Sequence, residues 1–212
     1  MTRIYLIRHG NSEANDRLEY AGHTDSKLTK LGLAQAQTLK EFFKDKKVDV
    51  VYSSDLQRAY QTVKVVADMF NLPVIPVEDL RELYGGDWEG IPYEDLPTKY
   101  PKEFYLWRNS MQDLITPNGE SIKELTIRVS NAIRKIVSEN EGKNIVIGSH
   151  GGSIRTFIAK ELNNDTKAIS LLGWVPNCSV STIDYENGVF KEIEIGNDKH
   201  VGELASNLPK EV

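Results

Sequence analysis

The sequence has a single cysteine, Cys178, so no intrachain disulfide can form, and no Cys/His spacing resembles a zinc site. No apolar run approaches the length of a membrane span, and only four apolar residues, Ile4 to Ile7, precede Arg8, far short of a signal-peptide core. Basic residues are not in excess. The 26 Lys and Arg against 31 Asp and Glu give a formal charge of −5, and their scatter leaves no stripe for nucleic acid or an anionic membrane. Repeats and low-complexity tracts are also missing. These absences predict a cytoplasmic protein, and 212 residues suffice for one well-buried domain with room for a small insertion.

What is present begins with the stretch from Thr2 to Asn15. Ile4-Tyr5-Leu6-Ile7 predicts a buried strand, and Arg8-His9-Gly10 marks its exit from the core. Ligands of open α/β sheets bind at the carboxyl ends of strands, so Arg8, a permanent planar cation, and His9 are placed for chemistry. Gly10 is expected to let the backbone approach a ligand closely. Alone, the tripeptide reads more readily as a strand-end turn with a solvated arginine.

The polar stretch up to Asp25 predicts a loop in which His23 either lines a site or is exposed. Thr29 predicts an N-cap for a helix that buries Leu31, Ala34, Leu39, Phe42 and Phe43. Val48 to Tyr52 is a second strand, and Ser53-Ser54-Asp55 is expected to cap a helix with Arg58 in its first turn. A cation at the positive end of a helix points to a ligand anion that compensates it, or to a side chain snorkelling into solvent. Leu72 to Val77, with two prolines, predicts an edge strand that delivers Glu82 to a Gly-rich, aromatic-flanked turn. There the carboxyl is either buried enough to work as a general acid or exposed and ion-paired.

Tyr84 to Glu120 breaks the strand-helix rhythm and predicts an inserted cap. Seven of the chain's eighteen aromatics lie between Tyr84 and Trp107, and the cap has three Lys or Arg against seven Asp or Glu. A capping box from Ser121 to Glu124 opens an amphipathic helix, and Asn144 to Gly148 reads as a central strand. That strand ends in Ser149-His150-Gly151-Gly152, where the logic of His9 applies to His150 and the glycines permit close backbone approach. Cys178 to Tyr185 and Val189 to Ile195 are the last strands, turning at Glu186-Asn187-Gly188, and the tail from Gly202 to Val212 lacks periodicity.

The pattern predicts an α/β fold: a single-domain three-layer sandwich with a mostly parallel central sheet, helices on both faces and a small inserted cap at about 84–120. Such a sheet would bring Arg8 and His9, Arg58, Glu82 and His150 to one edge. Arg8, Arg58 and a charged His150 would match a phosphate monoester dianion, leaving His9 as nucleophile and Glu82 as proton donor. To attack, His9 needs one neutral ring nitrogen, with the other held by an acceptor such as a carbonyl near Gly10.

Arg8-His9-Gly10 with Asn15, Ser53 to Thr62 with Arg58, Leu80 to Gly90 with Glu82, and Ser149-His150-Gly151 resemble the histidine phosphatase superfamily, also called phosphoglycerate mutase-like. The resemblance spans essentially the whole chain. It implies that His9 becomes phosphorylated, that Arg8, Arg58 and His150 hold the phosphoryl group, and that Glu82 is acid and base. Asn15 is implied to help bind phosphate, and Gly151 joins it as a substrate-binding position. No cofactor and no metal are expected. The expected partner is a small phosphorylated metabolite, with neither nucleic acid nor membrane, and the chain is compatible with a homodimer. Asn11 and His23 depart from residues common in the family, and Gly86-Asp87-Trp88-Glu89-Gly90 looks more like its phosphatase branch than its glycolytic mutases. A mutase must hold two phosphates and a carboxylate, to which an acidic cap is poorly suited. A non-catalytic phosphate-binding module is the other alternative, and it would be expected to have lost His9 or Glu82.

Overall fold

A computed structural model of the chain describes residues 1–170, 172–173 and 175–206. Strand β1 (Thr2–Arg8) divides the core by its alternation: Ile4 and Leu6 join one apolar cluster, Tyr5 and Ile7 the other. A single helical turn, α1 (Glu13–Asp16), follows it, closed by a capping box between Ser12 and Asn15.

β1 pairs in parallel with β4 (Asn144–Ser149) and antiparallel with β5 (Val180–Glu186). With β2 (Val50–Ser53), β3 (Val74–Pro76) and β6 (Val189–Asn197) the sheet order is β3-β2-β4-β1-β5-β6. The pairings among the first four strands are all parallel. Helices α2 (Lys30–Phe43) and α3 (Gln57–Met69) pack on the face of Tyr5, Ile7, Val51 and Val146. The later helices, α6 (Ile122–Glu139) and α7 (Gly151–Glu161), pack on the face of Ile4, Leu6, Ile145 and Ile147. This is the three-layer α/β arrangement that the apolar patterning predicts.

Register places the site. Arg8 lies opposite Ser149, and Ser53 lies opposite both Gly148 and Pro76, so β1 to β4 end at one edge. Thr29 and Ser121 cap α2 and α6 as the sequence predicts. The start of α3 differs from expectation, because its N-cap is Leu56, which makes no side-chain cap. Ser54 is drawn instead to His150, Asp55 binds Arg81, and the Gln57 amide donates to Asp25 at 2.7 Å. β5 and β6 turn through Asn187 and Gly188 at φ 53° and 84°, a two-residue hairpin that favours these two residue types.

The segment 84–120 adds no strand among the described residues. It forms 3-10 turns and the short helices α4 (Leu96–Lys99) and α5 (Pro101–Asn109). Fully buried Trp88 anchors it, with ring centroids 5.5 Å from both Tyr20 and Trp107. Of the C-terminal tail, Gly202–Leu204 makes a 3-10 turn, and 207–212 lie outside the described residues. Among the described residues no helix is long and apolar enough to cross a membrane.

Candidate active site

The strand ends open onto one cleft, lined by Arg8, His9, Asn15, Arg58, Glu82 and Gly151. His150 sits beside it, its ring centroid 5.2 Å from that of His9. Arg8, His9, Arg58 and His150 are each at most 6% exposed, an unusual concentration of buried basic groups.

His9 Nδ1 lies 2.7 Å from the Gly10 carbonyl, which fixes the proton on Nδ1 and leaves Nε2 with its lone pair. Burial, then Arg58 and Arg8, hold the ring well below the usual histidine range, so it stays neutral. The same causes apply to His150: burial first, then Arg58, His9 and Arg8. Burial and the two arginines thus favour a neutral His150, and the charged ring that the sequence reading places opposite a phosphate dianion would draw on the charge of that dianion. Its Nε2 lies 2.9 Å from Ser54 Oγ.

Arg8 donates to the Val175 carbonyl at 2.6 Å, and burial brings its guanidinium down to about 10, still charged at neutral pH. Arg58 does not snorkel. It donates to the carbonyls of Ala21, Gly22 and Thr24 at 2.7–2.8 Å, committing three of its five donors to the loop after α1. Thr62, one turn further along α3, accepts from the Gly10 amide and donates to the Arg58 carbonyl.

The Glu82 carboxylate rests on the first turn of α7, accepting from Gly152 at 2.9 Å, Ser153 at 3.2 Å and its neighbour Leu83 at 2.9 Å. Its own carbonyl accepts from Arg128 and lies 3.0 Å from His23 Nε2. Arg128 also grips the carbonyls of Asp79 and Arg81 and the Glu120 carboxylate, so one guanidinium sets the whole approach to Glu82. Glu89 ties His23 and Thr24 to Gly85, which makes it a loop clamp.

Asn15 uses its Oδ1 for the Ser12 amide and for Asn177, whose Nδ2 also reaches the His9 carbonyl at 2.9 Å. Gly151 packs on Arg8, since a Cβ there would stand 3.4 Å from Arg8 Nε. Gly10 also has a structural reason: a Cβ there would stand 2.7 Å from the Gly32 carbonyl, so the glycine lets the turn cross over α2. Asn11 is likewise structural, with Thr29 on its Oδ1 and Gln35 on its amide. His23 is half-buried against Tyr84 and meets the site at the Glu82 carbonyl.

Sequence reasoning passed over Arg155, Tyr93 and Trp107, which line the cleft, and Ser54, Asn177 and Arg128, which hold its residues. Arg155 had a readable signal, since it falls one helical turn after Gly151. Tyr93 is pushed up to about 12 by burial, so its hydroxyl is neutral. Among the described residues no three His, Cys, Asp or Glu side chains gather as a metal-binding cluster.

The family model of the histidine phosphatase superfamily (branch 1) matches residues 4–198. The chain belongs to the histidine phosphatase superfamily. The adenosylcobalamin/alpha-ribazole phosphatase of Escherichia coli (strain K12) is 32% identical over 200 residues, spanning 94% of this chain and 98% of that protein. Phosphoserine phosphatase 1 of Hydrogenobacter thermophilus is 29% identical over 204 residues, 96% of each chain. The solved structure of Bacillus stearothermophilus YhfR covers 95% of this histidine phosphatase and 100% of its own chain, with TM-score 0.90 and 26% identity.

Proposed function

We propose that this histidine phosphatase hydrolyses small phosphorylated metabolites through a phosphohistidine at His9, without a metal ion. The observation that carries the reading is the His9 ring, buried, neutral and oriented by Gly10 between two arginines. Arg8 and Arg58 neutralise the equatorial oxygens of the phosphoryl group, and His9 Nε2 attacks phosphorus in line with the departing ester oxygen. The N–P bond forms as the P–O bond breaks, and protonated Glu82 gives the leaving oxygen its proton. Glu82, now a carboxylate, takes a proton from the water that attacks phosphohistidine. Inorganic phosphate leaves and His9 is restored. Entry of a dianion also favours a proton on His150, which would then add a donor. Asn15 and Gly151 complete the phosphate contacts.

Hydrolysis is favoured over mutase chemistry by the acidic segment 84–120. The phosphatase names of the relatives support the same reading. The decisive experiment quenches enzyme incubated with a labelled monoester. Label that survives base and is lost in acid is the expected phosphoramidate signature. Full labelling of His9→Ala would overturn the assignment. Turnover should also survive chelators.

A further inference from the structure

Arg155 sits on α7, one turn after Gly151, and lines the cleft that holds His9 and Glu82. Arg3, Arg17, Arg81, Arg128 and Arg134 each rest on a carboxylate. Among the described residues Arg155 has no such partner. Its Nη2 donates to the carbonyls of Ile169 at 2.7 Å and Leu172 at 3.1 Å, which fixes the guanidinium, while among the described residues its buried Nε has no acceptor and no bond engages Nη1. Desolvation pulls the group below the usual arginine range, and the nearest compensating charge is Glu82. A half-buried cation with no carboxylate beside it among the described residues gains most when an anion arrives with the ligand.

Arg8 and Arg58 already face the phosphoryl end, so the anion for Arg155 lies elsewhere on the substrate. The surrounding wall is apolar, from Leu83, Trp107, Met111 and Leu125. A single cation balances one negative charge, so its free donors match a carboxylate better than a second phosphate dianion. Resting on the phosphatase reading above, we propose that Arg155 is a specificity residue that binds a carboxylate on the leaving group. The preferred substrates are then phosphate monoesters of hydroxy acids with an otherwise apolar body.

Phenyl phosphate and 3-carboxyphenyl phosphate test this, because their leaving oxygens have similar basicity and they differ by one carboxylate. Wild-type kcat/KM should be higher for the carboxylated ester, mainly through KM. Arg155→Met should cost that ester at least about tenfold more than it costs phenyl phosphate, the size expected of a charge-assisted hydrogen bond. Arg155→Lys should restore part of the difference. Equal losses for both esters would overturn the proposal and leave Arg155 as a pin for the Ile169–Leu172 segment. A wild-type preference for phenyl phosphate would overturn it with no variant needed. Absence of turnover on either ester would instead bring down the phosphatase reading on which it rests.

Discussion

Glu82 Oε2 accepts the Gly152 amide at 2.9 Å, and a Cβ on Gly152 would stand 2.4 Å from Glu82 Oε1. The same glycine that receives the carboxylate therefore leaves no room for a larger neighbour. In a helix alanine is ordinarily the better residue by about 1 kcal/mol, so Gly152→Ala separates stability from chemistry. Its melting temperature should hold or rise, while single-turnover phosphorylation from alkyl monoesters falls. With the acid displaced, the loss should approach that of Glu82→Gln, about 10²- to 10⁴-fold. p-Nitrophenyl phosphate, whose leaving group needs no proton, should lose much less. Equal losses on both esters would mean that Glu82 is not the acid.

The depressed histidines set a pH dependence whose sign is opposite to that of a salt-bridged histidine. Below pH 6.5 an unfolded chain protonates His9 and His150, while the folded chain keeps both neutral. Stability is therefore full above about 6.5 and declines as pH falls, by up to about 1.4 kcal/mol per pH unit for each ring. Urea unfolding at pH 7 and 5.5 should show the decline. Phosphoenzyme formation should show no loss of nucleophile near 6.5, because His9 remains neutral there. A rate that titrates away at the ordinary histidine value would place His9 in a more hydrated setting.

Phosphate migration needs the intermediate retained while the substrate turns over above it, and the segment 84–120 has only three Lys or Arg to hold a second anion. Incubation with 3-phosphoglycerate should thus yield inorganic phosphate and little 2-phosphoglycerate. Rapid interconversion without phosphate release would restore the mutase reading.

Strand-end placement of Arg8, His9, Arg58, Glu82 and His150 was legible in the sequence because apolar runs, caps and glycines mark where each strand stops. Other features were not, since they depend on residues far along the chain. Ser54 reads as a helix cap until His150, nearly a hundred residues later, claims its hydroxyl. The crossing of α2 over Gly10, which leaves no room for a Cβ, is set by Gly32 more than twenty residues on. The neutral state of His150 follows from burial among Arg58, His9 and Arg8, which no local pattern encodes. Arg155 acquires its meaning only when Ile169 and Leu172 fold back on it.

Both neighbours of β1 come from the last third of the chain: Arg3 pairs with Asn144 and Thr2 with Tyr185, and the His9 carbonyl waits for Asn177. During synthesis the first strand therefore emerges with both edges bare and stays so until most of the polypeptide has left the ribosome. Such an apolar strand invites association with other nascent chains. A chain ending before Val180 should be inactive and aggregation-prone, and on refolding from urea, activity should return only with the phase that protects the β1 amides from hydrogen exchange. His9, the proposed nucleophile, is among the first residues to be made and would be among the last to become competent.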